Sequence, residues 1–462
     1  MRGTSVIDQI IIGIYLFLIL LIGIIAGRKN NDFESFAVAS RTLPLLLIFS
    51  TLTVTLLYQN NTLDNAEKVF LLGIYHIIAL FGYSIREFLI ARFIAPQMDK
   101  YSKCLSIGDI IEQHYGKTAK TLTGIFSVIL STLIVSILLT VLGYLMNLFL
   151  GINTIYGVLI GAGIITIYAS LGGLKSITYT HVLQFFMIII VIPLIIYYGV
   201  TQADGWSNVL SAVPNKHLSI FGNISFIAFL SLFFSFMLAE TLLPPYVQRL
   251  LANRNSQTVS RAVLLNGMFS VFIFIATGLI GLIAFALFPT AEASIALPKI
   301  LMSILPIGVK GLAIAGILSI IISSADSFLN SAAVSITNDI LKPVFKNSKT
   351  IASITTARVF TIVLGISASL MAIFIKDLSV LLIYPLLFWS PIILVPLVVA
   401  ILGFEVTKKQ LYQSAFAGIL TVTFWTYGLK NLFEINGLII GVLASLFVFV
   451  YLAFFDKKTP SP

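Results

Sequence analysis

Ile321-Ile322-Ser323-Ser324-Ala325-Asp326-Ser327-Phe328-Leu329-Asn330 decides how this chain reads. It sets hydroxyls, an amide and an ionisable carboxyl inside a run, about 308–337, that is otherwise apolar enough to cross a bilayer. Polar groups in hydrocarbon cost free energy, and they mark ion or solute paths. On a helix the carbonyl of Ile320 and the hydroxyls of Ser323 and Ser324 stand at i, i+3 and i+4 and share a face. Three neutral oxygens supply part of the shell of a small hard cation, which takes about six oxygens by analogy with calcium. A second helix must give the rest, from carbonyls freed where it unwinds. The plainer account is that membrane serines bond back to their own i−4 carbonyl or let helices pack closely. Asp326 and Asn330 on the same run weigh against it, because packing needs no carboxyl.

The bulk composition agrees. Hydrophobic residues make up 58% of 462 and charged residues 10%, against roughly 25% charged in a soluble domain. Mean hydropathy is +1.05. About thirteen apolar runs approach the roughly 20 residues a span needs: 5–27, 43–63, 69–95, 120–150, 154–173, 177–200, 222–247, 260–289, 308–337, 351–375, 378–403, 410–427 and 435–455. The expectation is an all-α polytopic membrane protein, one integral-membrane domain over 1–462, with no soluble module. The first run is too long for a signal-peptide core and reads as a retained span.

The net charge of +10 does not point to nucleic acid. Threading thirteen spans with the N-terminus outside puts most lysines and arginines on the inner side, among them Arg28, Arg41, Arg92, Arg249, Arg254, Lys408 and Lys409. That is the positive-inside bias, and it predicts an N-out, C-in protein of the cell (inner or plasma) membrane. The single Cys104 excludes an intrachain disulfide and a multi-cysteine metal site. HExxH, GxSxG and Walker patterns are absent from the sequence, so an enzyme has little to work with.

Other runs also hold polar groups: Thr53, Thr55, Tyr58 and Gln59 in the second, His76, Arg86 and Glu87 in the third, Thr180, His181 and Gln184 in the sixth, and Glu240 before Pro244-Pro245 in the seventh. Tyr384, Trp389 and Ser390 in the eleventh are pocket candidates. Asn60-Asn61-Thr62 matches a glycosylation sequon, without meaning in a bacterium.

Four separated segments resemble the sodium:solute symporter family. Ile322 to Asn330, followed by Asn338-Asp339-Ile340, is similar to its sodium-site helix. Tyr168-Ala169-Ser170-Leu171-Gly172-Gly173-Leu174-Lys175, then Thr180-His181-Val182-Leu183-Gln184, resembles its Gly-Gly-Leu…Thr-Asp-x-x-Gln signature. Pro244-Pro245-Tyr246-Val247-Gln248-Arg249 resembles its Pro…Gln-Arg motif, and Ala39-Ser40-Arg41-Thr42-Leu43-Pro44 its Gly-Arg-x-Leu-Pro entry to the second span. Order and spacing fit over roughly 30–405.

The resemblance implies a LeuT-type fold. One leading helix (about 5–27) precedes two inverted five-helix repeats (about 43–200 and 222–403), and two helices trail (about 410–455). It implies sodium as the coupling ion, with no organic cofactor. The ligands would be the hydroxyls of Ser323 and Ser324 and the carbonyls of Ile320, Thr53 and Leu56. A small organic solute would sit beside them, near Thr55, Tyr58, Gln59, His76, Glu240 and Trp389. His181, Asp326 and Asn330 would serve coupling or gating, and Arg41 and Asp339 the inner loops.

One departure bears on the ion. Where the family usually has Asp, this chain has His181, a poor sodium ligand, so at most one sodium is expected. His181 either bonds a neighbouring group structurally or gates by proton. Glu240 either solvates at the interface or faces the pocket, where it favours an amine or guanidine solute or carries a proton. The leading expectation is therefore sodium-coupled import of a small organic solute across the lipid bilayer by alternating access. A proton-coupled relative using His181 or Glu240 is the alternative, and a membrane-embedded sensor or enzyme the reading from another class.

Overall fold

The computed structural model describes residues 4–28, 30–56, 63–221, 224–345, 353–375, 387–429 and 432–455. Regular structure among them is helical, apart from one bridge between Thr42 and Asn253. In chain order the principal helices are α1 (Val6–Gly27), α2 (Phe33–Val38), α3 (Leu45–Leu56), α4 (Leu63–Leu72), α5 (Tyr75–Leu89), α6 (Ile107–Tyr115), α7 (Lys117–Leu150), α8 (Thr154–Gln202), α9 (Trp206–Ala212), α10 (Phe226–Leu238), α11 (Pro244–Leu250) and α12 (Ser256–Leu287). They continue as α13 (Ala293–Ser303), α14 (Val309–Ser335), α15 (Ile354–Phe374), α16 (Leu387–Ile401), α17 (Lys408–Thr423) and α18 (Gly437–Phe455).

Seven helices among the described residues are long and apolar enough to cross a membrane. Fewer appear than the thirteen runs in part because runs are broken. The second run holds α3 up to Leu56, and 57–62 lie outside the described residues. The fifth and sixth are two arms of α8, which breaks at Gly173 (φ 53, ψ −140). That left-handed φ suits glycine, and an added Cβ would meet the Phe36 ring at 2.6 Å. The seventh breaks between α10 and α11, where Leu242 takes φ 53 just ahead of Pro244.

Burial separates α14 from the rest. Its most apolar window is 94% buried, whereas the other six spanning helices bury 28–56% of theirs. Those helices turn large apolar side chains outward, such as Phe17, Phe272, Phe374 and Phe447. Lipid-facing surface around an enclosed helix is a multi-pass membrane protein. Helix α14 packs on α7, α8, α1, α3 and α11, so a polar side chain left unpartnered along it is costly.

The leading helix braces this core. Gly23 lets α1 lie against Tyr168, and Ser176 donates to the Gly23 carbonyl at 2.6 Å. Small residues permit such close approach. At the other end of α1, fully buried Asp8 accepts the backbone N–H groups of Gly308 (2.8 Å) and Gly311 (2.9 Å). A carboxylate there satisfies orphan donors and complements the positive end of α14.

Candidate cation and solute site

The last described turn of α3 is Thr53 to Leu56. Helix α14 brings hydroxyls to its carbonyls. Ser323 Oγ lies 3.0 Å from the Val54 carbonyl and 3.0 Å from that of Ile320. Ser324 Oγ lies 3.0 Å from the Thr55 carbonyl and 3.2 Å from that of Ile320. Five neutral oxygens thus converge across the α3–α14 seam, with both serines fully buried. The carbonyls reached are Val54 and Thr55, between the expected Thr53 and Leu56 and within the same final turn. The donor set fits a hard monovalent cation: oxygens only, no net charge, and hydroxyl protons free to rotate away.

Beside this seam lies a fully buried polar network. His181 Nε2 is 3.1 Å from Asp326 Oδ1, and its Nδ1 is 2.7 Å from Thr51 Oγ1. Tyr168 donates to Asp326 Oδ2 at 2.5 Å. Arg249 donates from Nη2 to Ser327 Oγ at 2.6 Å, from Nε to Thr51 Oγ1 at 3.4 Å and from Nη1 to the Pro245 carbonyl at 2.7 Å. Ser327 in turn donates to the Ser323 carbonyl (2.8 Å) or Asp326 Oδ1 (3.0 Å), and Thr55 Oγ1 reaches it at 3.1 Å. With Asp326 ionised, His181 donates from Nε2 and accepts from Thr51, which leaves Asp326 and Arg249 as balancing charges. Arg249, read from the sequence as an inner-side loop cation, is 0% exposed.

A second chain of bonds leaves α3 on its other side. Thr53 Oγ1 donates to Asn266 Oδ1 at 3.0 Å, and Asn266 Nδ2 donates to Glu87 Oε2 at 2.9 Å. Glu87, 0% exposed, also accepts from Tyr246 (2.8 Å) and from Arg86 Nη2 (3.1 Å).

Of the expected solute residues, Thr55 lies in the seam, and Trp389, Glu240 and His76 lie around α10. The carbonyls freed where α10 breaks are taken by α16. Ser390 donates to Leu238 (2.5 Å) or Ala239 (3.1 Å), and Trp389 Nε1 donates to Thr241 at 3.1 Å. The Trp389 indole stacks on Phe126 at 5.8 Å and is fully buried. Glu240 sits within this break and is buried. His76 packs edge-on against Phe236 at 5.5 Å, and neither ring nitrogen has a hydrogen-bond partner among the described residues. The buried Asn330 amide is likewise unpartnered among them. Tyr58, Gln59, the 60–62 sequon and Tyr384 lie outside the described residues, as does the side chain of Leu56.

A profile of the sodium:solute symporter family matches residues 39–422. The chain belongs to the sodium:solute symporter family. It is thus a member of a transporter family, not of an enzyme family. The high-affinity choline transporter 1 of Drosophila melanogaster is 27% identical over 411 residues, covering 80% of this chain and 62% of the relative's length. The human high affinity choline transporter 1 is 26% identical, covering 79% and 67%. The sodium/glucose cotransporter of Vibrio parahaemolyticus is 22% identical, covering 74% and 70%. Among solved structures, a substrate-bound, outward-open Na+-coupled sialic acid symporter superposes with a TM-score of 0.88 at 19% identity, covering 99% of both chains. A closed nucleobase-cation-symport-1 family transporter gives 0.55 at 14% identity, covering 92% and 95%. These two likenesses establish the LeuT-type fold.

In this symporter-family chain several site residues escaped sequence reading. Asn266 is one polar residue in a long apolar helix, and its partners lie 213 and 179 positions away. Tyr168 and Arg249 were visible only as motif letters, with nothing to place them beside Asp326.

Proposed function

We propose that the chain is a sodium-coupled symporter that imports a small organic solute by alternating access. The observation that carries this is the meeting of Ser323 and Ser324 with the carbonyl end of α3. Sodium would take the carbonyl of Ile320, the two serine hydroxyls and carbonyls from the last turn of α3, drawn from Thr53, Val54, Thr55 and Leu56. Its binding would hold α3 against α14, and the solute would bind beside that seam, towards Glu240 and His76. The two five-helix halves, about 43–200 and 222–403, would move against one another around that seam. The basic inner loops support an N-out, C-in orientation in the cell membrane. Choline, glucose and sialic acid are the solutes to test first, because they name the relatives.

The test is thermal unfolding of the purified protein in sodium and in potassium, with each solute present or absent. Sodium should raise the melting temperature, and the right solute should raise it further only with sodium, since coupling between the two is reciprocal. At a hundredfold excess over Kd, either ligand adds about 2.7 kcal/mol. Ser323→Ala with Ser324→Ala should abolish the sodium response. Equal stabilisation by potassium would overturn sodium coupling. Uptake driven by a pH jump without sodium would favour the proton-coupled alternative, for which the buried His181–Asp326 pair is the supporting observation.

A further inference from the structure

A cavity of about 410 Å³ lies between α4, α7 and α13 and reaches α14 at Ile317. Its wall is largely apolar: Leu145, Phe149, Leu297 and Leu301 line it, with the ring of Tyr144. The one carboxyl on that wall is Glu67. Among the described residues no cation lies within ion-pair distance of Glu67. Lys68 pairs with Asp64 at 4.0 Å, and Lys299 of α13 rests on the Phe288 ring at 4.6 Å. A carboxylate against an apolar wall is stabilised by a cation that brings its own hydrocarbon, and an aromatic face adds a cation–π contribution. The volume is that of a small-molecule pocket.

We propose that this cavity is a binding site for an amphiphilic organic cation, a quaternary or protonated amine with a short hydrocarbon tail. The ammonium group sits at Glu67 against Tyr144, and the tail lies on Leu297 and Leu301. The site is separate from the solute site. Ile317 lines it one helical turn from Ile320, so an occupant wedges α4 and α13 against the helix that carries the serines. It acts as a modulator rather than as cargo, and the proposal stands whether or not the coupling ion is sodium.

The experiment is thermal unfolding of the full chain in lipid nanodiscs, titrated with hexyltrimethylammonium, with heptanol and with heptanoate. The cation should raise the melting temperature saturably, and the alcohol and the carboxylate should not. Glu67→Gln should weaken the cation's apparent affinity at least tenfold, while the unliganded melting temperature stays close to that of the wild type. Ser294→Trp, which fills the cavity from an exposed lining position, should abolish the response with Glu67 intact. Stabilisation that persists unchanged in both variants places the cation elsewhere, including in the solute site, and overturns the proposal. So does equal stabilisation by heptanol, which would mean that the cavity takes any alkyl chain.

Discussion

His181 joins two helices through one ring: its Nδ1 is 2.7 Å from Thr51 on α3 and its Nε2 is 3.1 Å from Asp326 on α14. The seam that carries the serines is therefore held by an imidazole, with Arg249 closing the same loop through Ser327. Asp326→Ala should cost about 3–5 kcal/mol, because it leaves Arg249 buried without its balancing charge. His181→Ala should cost less in the Asp326→Ala background than in the wild type, by about 0.5–3 kcal/mol. A double-mutant cycle of thermal unfolding reads the difference. Strict additivity would show that the pair does not act as a unit.

Asn266 supplies a separate prediction. Its amide bridges Thr53 and Glu87, and Asn266→Ala removes one bond from each, while Thr53 keeps the Phe49 carbonyl and Glu87 keeps Tyr246 and Arg86. The expected loss is about 0.5–1.5 kcal/mol per bond. Because Thr53 belongs to the carbonyl turn, half-saturation by sodium should shift to higher concentration in this variant. Uptake measured against sodium at a fixed solute level checks this, and an unchanged sodium curve with lowered stability would reduce Asn266 to a packing residue.

Trp389 distinguishes two roles. Trp389→Phe keeps a ring against Phe126 but leaves the Thr241 carbonyl without its donor. If the indole serves the helix break, stability falls by about 1–2 kcal/mol and the solute KM at saturating sodium is unchanged. A raised KM with unchanged melting would return Trp389 to the solute site.

Cys104 reports on the packing of its loop without engineering. Burial, with Asp109 nearby, pushes its thiol from 9.0 up to about 12. The native thiolate is then scarce at neutral pH, about a thousandfold below that of an ordinary thiol. Because the shift is upward, native reactivity should stay low until the pH nears 12, whereas unfolded chain should react from about pH 9 upward. Maleimide labelling with time, native against denaturant-unfolded, measures this. Equal rates at pH 7.4 would contradict the burial.

Gly173→Ala tests the break in α8. The new methyl meets the Phe36 ring and carbonyl at a φ of 53. The cost should exceed about 1 kcal/mol, read as a lower melting temperature, and a neutral effect would mean that α2 yields.

Hydropathy revealed the membrane class, and the seven helices long enough to span all fall on the apolar runs, because lipid-facing surface needs apolar side chains whatever the fold. The serines of α14 were also legible, since a hydroxyl pair beside a carboxyl stands out against isoleucine. Their partners on α3 were not. Thr53-Val54-Thr55 carries neither Gly nor Pro, so nothing local marks which carbonyls meet α14, and the structure offers Val54 and Thr55 to the hydroxyls. The doubled glycine at Gly172-Gly173 was visible, but not that it joins two spans into one bent helix. Arg249 illustrates the deeper limit. A charge after an apolar run looks solvated until a partner 78 positions away is brought beside it.

Asp8 holds Gly308 across 300 positions of chain. The start of α1 is thereby a mechanical neighbour of the helix that carries the serines. A displacement of α1 at Asp8 is a displacement of the starting turn of α14, so the leading helix is tied into the same body as the ion seam rather than appended to it.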